Sequence, residues 1–273
     1  MPLLCFASPK GGVGKTTLAA NIAGTISRSG RRVVALDLDP QNALRLHFGI
    51  PLHDRHGFAC RLAERPDWRS CLRMTAGGIG LLPFGPATAA GAMSLAASVA
   101  ADPALLAASV DDILADPGVC LVVDTAPGPS PFLAALLPNA DLIVTVLLVD
   151  AASISLVPAI ENGAAFGDGG AGGDASLARR LAFALNQFDP RTRLAGSIAQ
   201  AASRHLGSRL LGMVYRDEHV AEASAAQKLL ADYAPGSKAT YDVAELARNI
   251  VARLPEPDTT ALRDQRSSAG WRR

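Results

Sequence analysis

The segment Lys10-Gly11-Gly12-Val13-Gly14-Lys15-Thr16-Thr17 directly follows the apolar run Leu3-Leu4-Cys5-Phe6-Ala7 and directly precedes a stretch with helical patterning. A strand, a glycine-rich turn and a helix in that order leave few folds open. Glycines without Cβ atoms let successive backbone N–H groups turn inward around an anion, and the following helix adds the positive end of its dipole. The loop is therefore suited to a nucleoside triphosphate, with Gly11, Gly12, Val13, Gly14, Lys15, Thr16 and Thr17 as the phosphate-binding set. In such a loop Lys15 lies along the β/γ-phosphates and the Thr16 hydroxyl ligates Mg²⁺. Two details depart from the general pattern. Pro9 stands where a glycine is asked for, and a second lysine, Lys10, comes before the glycines.

Composition narrows the class. The chain has 273 residues, 49% of them hydrophobic and only 5% aromatic, which suffices for one well-buried α/β domain. A formal net charge of +1 supplies no basic field of the kind a dedicated nucleic-acid binder carries, so DNA binding is not expected. Cys5, Cys60, Cys71 and Cys120 show no C-x-x-C spacing and read as reduced, largely core thiols. His47, His53, His56, His205 and His219 lack metal-ligand spacing and read as surface or packing residues. No basic stretch precedes the first apolar run, and Asp102-Pro103 interrupts the best membrane-span candidate, so a cytoplasmic protein is expected.

Short aliphatic runs alternate with helical segments, as in parallel strands joined by right-handed crossovers. The runs at 3–8, 32–37, 79–84, 120–124, 142–149, 180–186 and 210–215 predict about seven strands. Most are apolar on both faces, which predicts a mostly parallel central sheet covered by helices on both sides. Helices are expected at 16–29, 91–114, 153–162, 191–206 and 241–254, with Gly30 ending the first. The glycine-rich stretch 163–174 lacks the lysine of a second phosphate loop and reads as a flexible surface loop. One domain over 1–254 and a loose basic tail over 255–273 follow from Pro255, Pro257 and the polar residues after them.

Triphosphate hydrolysis also needs a group that orients water and acids that hold the magnesium shell. In open α/β sheets such groups come from the carboxyl ends of strands. Val33 to Leu36 ends in Asp37, followed by Asp39-Pro40-Gln41; Cys120 to Val123 ends in Asp124, which is placed to contact Mg²⁺ through water. Asp37 sits nearer the phosphates and magnesium as support.

The two-lysine loop resembles the ParA/MinD family of deviant Walker P-loop ATPases. That resemblance implies an ATP-sandwich homodimer in which Lys10 reaches the partner's nucleotide while Lys15 acts on its own. It also implies that Asp39 orients the attacking water and that the Gly128 N–H senses the γ-phosphate. Asn186 corresponds to the residue that reads the adenine edge, and Tyr215-Arg216 to the Pro-Arg element bordering the base, with tyrosine in place of the proline of many members.

Within the family, the segment after switch II holds no cysteine for a shared iron-sulfur cluster, and the tail has too little apolar surface for membrane binding alone. Leu44-Arg45-Leu46-His47-Phe48, Asp67-Trp68-Arg69, Leu81-Leu82-Pro83-Phe84-Gly85 and Tyr215-Arg216-Asp217-Glu218 resemble the MinD-like proteins of bacterial cellulose-synthase operons, the BcsQ/YhjQ group. Some of that group lack the lysine kept here as Lys15. The resemblance implies a slow, partner-stimulated Mg-dependent ATPase that assembles or localises the cellulose secretion machinery, recruited to the inner membrane or cell pole through a protein partner. Two alternatives stay open: a ParA-type DNA or plasmid segregation ATPase, and a nucleotide-gated scaffold with little turnover.

Overall fold

A computed structural model describes residues 1–167 and 175–255. One sheet organises them, with strands β1 (Leu3–Ala7), β2 (Arg32–Leu38), β3 (Arg73–Met74), β4 (Gly80–Leu82), β5 (Val119–Thr125), β6 (Leu142–Leu148), β7 (Leu181–Phe188) and β8 (Leu210–Tyr215). Their spatial order is β3-β4-β2-β5-β1-β6-β7-β8, parallel except for the β3–β4 pair. The seven expected strands are present. The eighth, β3, is two residues long and antiparallel at the sheet edge, too short to show an alternation in sequence.

The helices are α1 (Lys15–Arg28), α2 (Trp68–Cys71), α3 (Ala89–Ala101), α4 (Ala104–Leu114), α5 (Pro131–Leu136), α6 (Ala151–Ile154), α7 (Val157–Glu161), α8 (Ala175–Arg180), α9 (Arg193–Leu206), α10 (Glu218–Ala225), α11 (Leu230–Tyr233) and α12 (Lys238–Val251). The single helix expected at 91–114 is two, because Asp102-Pro103 bends the chain by 85° between α3 and α4. Among the described residues no single helix is long and apolar enough to cross a membrane. Helix α12 starts three residues before the expected 241, because the Ser237 side chain caps it by accepting the Thr240 N–H.

Why the sheet is parallel is visible in its burial. All five residues of β1 are fully buried, as a strand sandwiched between helical layers requires. Leu3, Cys5 and Ala7 face one apolar layer with Phe84, Val110 and Phe132, whereas Leu4 and Phe6 face the other with Ile22, Val243 and Leu246. Each fully buried aliphatic side chain contributes about 1.5–3 kcal/mol, so this double layer is what fixes the register. Cys5, Cys71 and Cys120 are buried free thiols and Cys60 is partly exposed; burial pushes the Cys5 thiol up to about 12.

The glycine-rich stretch is more ordered at its start than expected. Ala164–Phe166 form a 3₁₀ turn between Gly163 and Gly167, both at positive φ, and the Phe166 ring is fully buried. One aromatic side chain anchors what composition alone presents as a linker. Residues 168–174 of that stretch and 256–273 of the basic tail lie outside the described residues.

Candidate functional site

The chain leaves β1 at the centre of the sheet, with β5 on one side and β6 on the other, and turns at once into the glycine loop. Strand order reverses here, which opens a crevice at the carboxyl ends of the strands. Gly12 and Gly14 have φ of 78° and 84°, a region costly for residues with a Cβ. Gly14 is required for a second reason. A Cβ there would lie 2.4 Å from Asn186 Nδ2. No side chain caps the first turn of α1, so its leading N–H groups point into the loop, as an anion site needs.

Parallel register brings the two acids together. Asp37 and Asp124 are direct cross-strand neighbours in the β2–β5 ladder, although they are far apart in the chain. Lys15 Nζ donates to Asp124 Oδ1 at 2.6 Å and Thr16 Oγ1 donates to Asp124 Oδ2 at 2.7 Å. Asp37 is fully buried and accepts the backbone N–H groups of Asp39 and Leu44, at 2.9 and 3.1 Å. It thus holds the loop that carries Asp39. Asp39 itself is 8% exposed, accepts the Gln41 N–H at 2.9 Å, and lines the same cavity as the glycine loop.

Burial, then the charge of Asp124, pushes the Asp37 carboxyl well above the usual carboxylate range. Burial likewise raises Asp124, against the opposing charge of Lys15. Lys15 pairs with Asp124, and Asp37 is that residue's cross-strand neighbour; a divalent cation bound beside them would favour the ionised form of both carboxyls. Among the described residues no three His, Cys, Asp or Glu side chains form a metal cage by themselves. The donor set fits Mg²⁺, which binds through one or two protein oxygens plus phosphate and water.

Two cavities open side by side. The smaller, about 280 Å³, is lined by Lys10, the glycine loop, Asp39, Gln41 and Pro127. The larger, about 320 Å³ and more apolar, is walled by Asn186, Gln187, Tyr215, Arg216, Leu230 and Val243. Gly14 and Thr17 line both, so the two join at the first turn of α1. Their sizes suit a triphosphate and a base.

Asn186 ends up against the phosphate loop, its Nδ2 donating to the Val13 carbonyl at 2.8 Å. Tyr215 packs edge-on against Phe188 with centroids 5.0 Å apart, and the Arg216 N–H donates to the Phe188 carbonyl at 3.0 Å. Lys10 lines the smaller cavity and lies near Asp150, whose carboxyl is held below its usual range; burial opposes this, while the Ser153 hydrogen bonds and then the Lys10 charge produce it. Gly128 adopts φ of 76°, and its N–H donates to the Ser8 carbonyl at 2.8 Å, tying that loop to the glycine loop in this state. Sequence reading passed over Gln187, which borders the larger cavity at φ of 57°, and Asn21, whose Oδ1 accepts the Leu230 N–H at 2.7 Å beneath it. A left-handed glutamine leaves no composition signal.

The family model for the cellulose biosynthesis protein BcsQ matches residues 1–167 and 170–251. The chromosome-partitioning ATPase Soj of Thermus thermophilus is 30% identical over 256 residues, 93% of this chain and 96% of that one. The cellulose biosynthesis protein BcsQ of Escherichia coli K12 is 38% identical over 86 residues, which is 31% of this chain and 34% of that protein. Among solved structures, the septum site-determining protein MinD of Pyrococcus horikoshii, complexed with Mg-ADP, superposes with a TM-score of 0.71 at 21% identity, covering 91% of this chain and 95% of that one. Fold, phosphate loop and near full-length sequence match agree: the chain belongs to the BcsQ family, within the ParA/MinD-like P-loop ATPases.

Proposed function

We propose that this protein binds and hydrolyses ATP as a dimeric switch that assembles or localises the bacterial cellulose synthesis and secretion machinery. The observation that carries the nucleotide chemistry is the convergence of Lys15 and Thr16 on the buried Asp124, beneath a glycine loop that leaves its N–H groups open. The family match over most of the chain supports the cellulose role.

In this reading Gly11 to Thr17 enclose the phosphates, Lys15 neutralises the β/γ oxygens, and Thr16 with Asp124 holds Mg²⁺. Bound there, Mg²⁺ would offset charge on the phosphate oxygens. Asp37, which bound Mg²⁺ would keep ionised, supports that shell from behind and keeps the Asp39 loop in place, so that Asp39 can orient water toward the γ-phosphate. Lys10 reaches the partner subunit's nucleotide and stabilises charge as the bond breaks. Asn186, Tyr215 and Arg216 border the adenine. Turnover is slow until a protein partner of the secretion complex acts, and membrane recruitment runs through that partner.

Light scattering with and without ATP tests the switch. Lys10→Ala should bind ATP yet stay monomeric, and a dimer equal to the parent's would remove the trans role. Asp39→Ala should accumulate as an ATP-bound dimer, and parental phosphate release from it would show that another group orients the water.

One observation favours a second reading, DNA segregation: the Soj match spans far more of the chain than the BcsQ match from Escherichia coli. A gel-shift titration with plasmid DNA at physiological salt separates the two. Tight ATP-dependent binding would favour segregation.

A further inference from the structure

Strand β8 is the last strand of the sheet, so its outward backbone groups have no strand to bond. Helix α12 supplies partners instead. Asn249 Nδ2 donates to the Leu211 carbonyl at 2.7 Å, and Asp242 Oδ2 accepts the Tyr215 N–H at 3.0 Å. Asp242 is 5% exposed; its other oxygen takes the Lys238 ammonium at 2.5 Å, and that ammonium lies 4.5 Å from the centre of the Tyr215 ring. A buried carboxylate remote from the phosphates is costly, and it persists only where its hydrogen bonds are complete.

A second tether runs the other way. Asp217 Oδ2 accepts the Ala239 N–H at 3.1 Å, in the first turn of α12. The Tyr215-Arg216-Asp217 segment walls the larger cavity and is clamped to α12 at both ends.

We propose that Asp242 is a positioning residue for base selection: through the Tyr215 N–H it sets the wall against which the base lies. The inference rests on reading the larger cavity as the adenine site. A proline at position 215 would fix φ by its ring and carry no N–H, whereas tyrosine leaves φ free and brings a donor that needs an acceptor. Asp242 supplies both the acceptor and the restraint.

The test uses the full chain and displacement of a fluorescent ATP analogue by ATP, GTP and tripolyphosphate. Losing the acceptor of the half-buried Tyr215 N–H should weaken ATP about tenfold in Asp242→Ala, while tripolyphosphate changes by less than about twofold and the ATP-over-GTP preference shrinks. Asp242→Asn keeps an acceptor oxygen and should retain the preference. If Asp242→Ala does not fold, Tyr215→Pro/Asp242→Ala, which has no orphaned donor, should fold and regain it. Parental ATP-over-GTP preference in Asp242→Ala, equal weakening of ATP and tripolyphosphate, or a double variant without preference would each overturn the proposal. A parent protein that does not distinguish ATP from GTP would overturn the adenine-site reading itself.

Discussion

The two cavities of the cleft are built on opposite plans. The smaller takes most of its lining from the ten residues between Ser8 and Thr17, uses backbone N–H groups and charge, and rests on one buried ion pair, Lys15–Asp124. The larger draws its lining from segments near residues 14–21, 186–187, 214–224, 230 and 243, and uses shape. On the function proposed above, phosphate recognition is written locally in the chain, and base recognition exists only once β7, β8 and α12 have docked. Damage to the first should abolish binding outright, whereas damage to the second should change which nucleotide is preferred.

The largest expected effect is at Lys15. Lys15→Met leaves Asp124 buried without its counter-ion, and breaking such a pair costs about 3–5 kcal/mol. Urea unfolding should show that loss, and phosphate release should fall to background. A variant that keeps turnover would dissolve the contrast between the two cavities. Next comes Gly14, which belongs to both. Alanine there meets the positive φ and the Asn186 amide together, so a loss of about 2–4 kcal/mol is expected, with ATP and tripolyphosphate weakened alike. Normal base preference with lost phosphate binding would show that the cavities are separable at that residue.

The 3₁₀ turn Leu44–Phe48, which follows the Asp39 loop, offers a pH handle. His47 is 6% exposed, and burial pushes its imidazole down from 6.5 to about 4. The unfolded chain therefore takes up this proton first. The contribution is fully present above pH 6.5 and is lost as pH falls toward 4. At about 1.4 kcal/mol per unit, the drop between pH 6.5 and 5 is about 2 kcal/mol. Urea titrations of the parent and of His47→Gln at both pH values check this; the variant should lose that slope.

What could be read from sequence follows the same division. The glycine loop, Asp37 and Asp124 were legible because strand–turn–helix and strand-end acid patterns are short-range, and parallel register then brings the two acids side by side. The seven expected strands were legible because strands covered on both faces are apolar throughout. The 85° bend at Asp102-Pro103 was signalled by those two residues, yet the aliphatic pattern ran through it. The clamp of Asp242 on Tyr215 links positions 27 residues apart and has no periodic signature. Phe166 anchors a turn by tertiary burial, which composition does not register.

The smallest expected effect tests where the two plans meet. Asn186 is a base-reading candidate, yet its Nδ2 donates to the Val13 carbonyl of the phosphate loop. Removing that bond in Asn186→Ala should cost about 1 kcal/mol, or about fivefold in affinity. The ligand that feels the loss decides what the residue is for. If ATP weakens while GTP and tripolyphosphate hold, the amide acts on the base and the boundary between the cavities lies at Gly14. If all three weaken together, Asn186 braces the phosphate loop, and base selection falls to the Tyr215–Asp217 wall that α12 holds from behind.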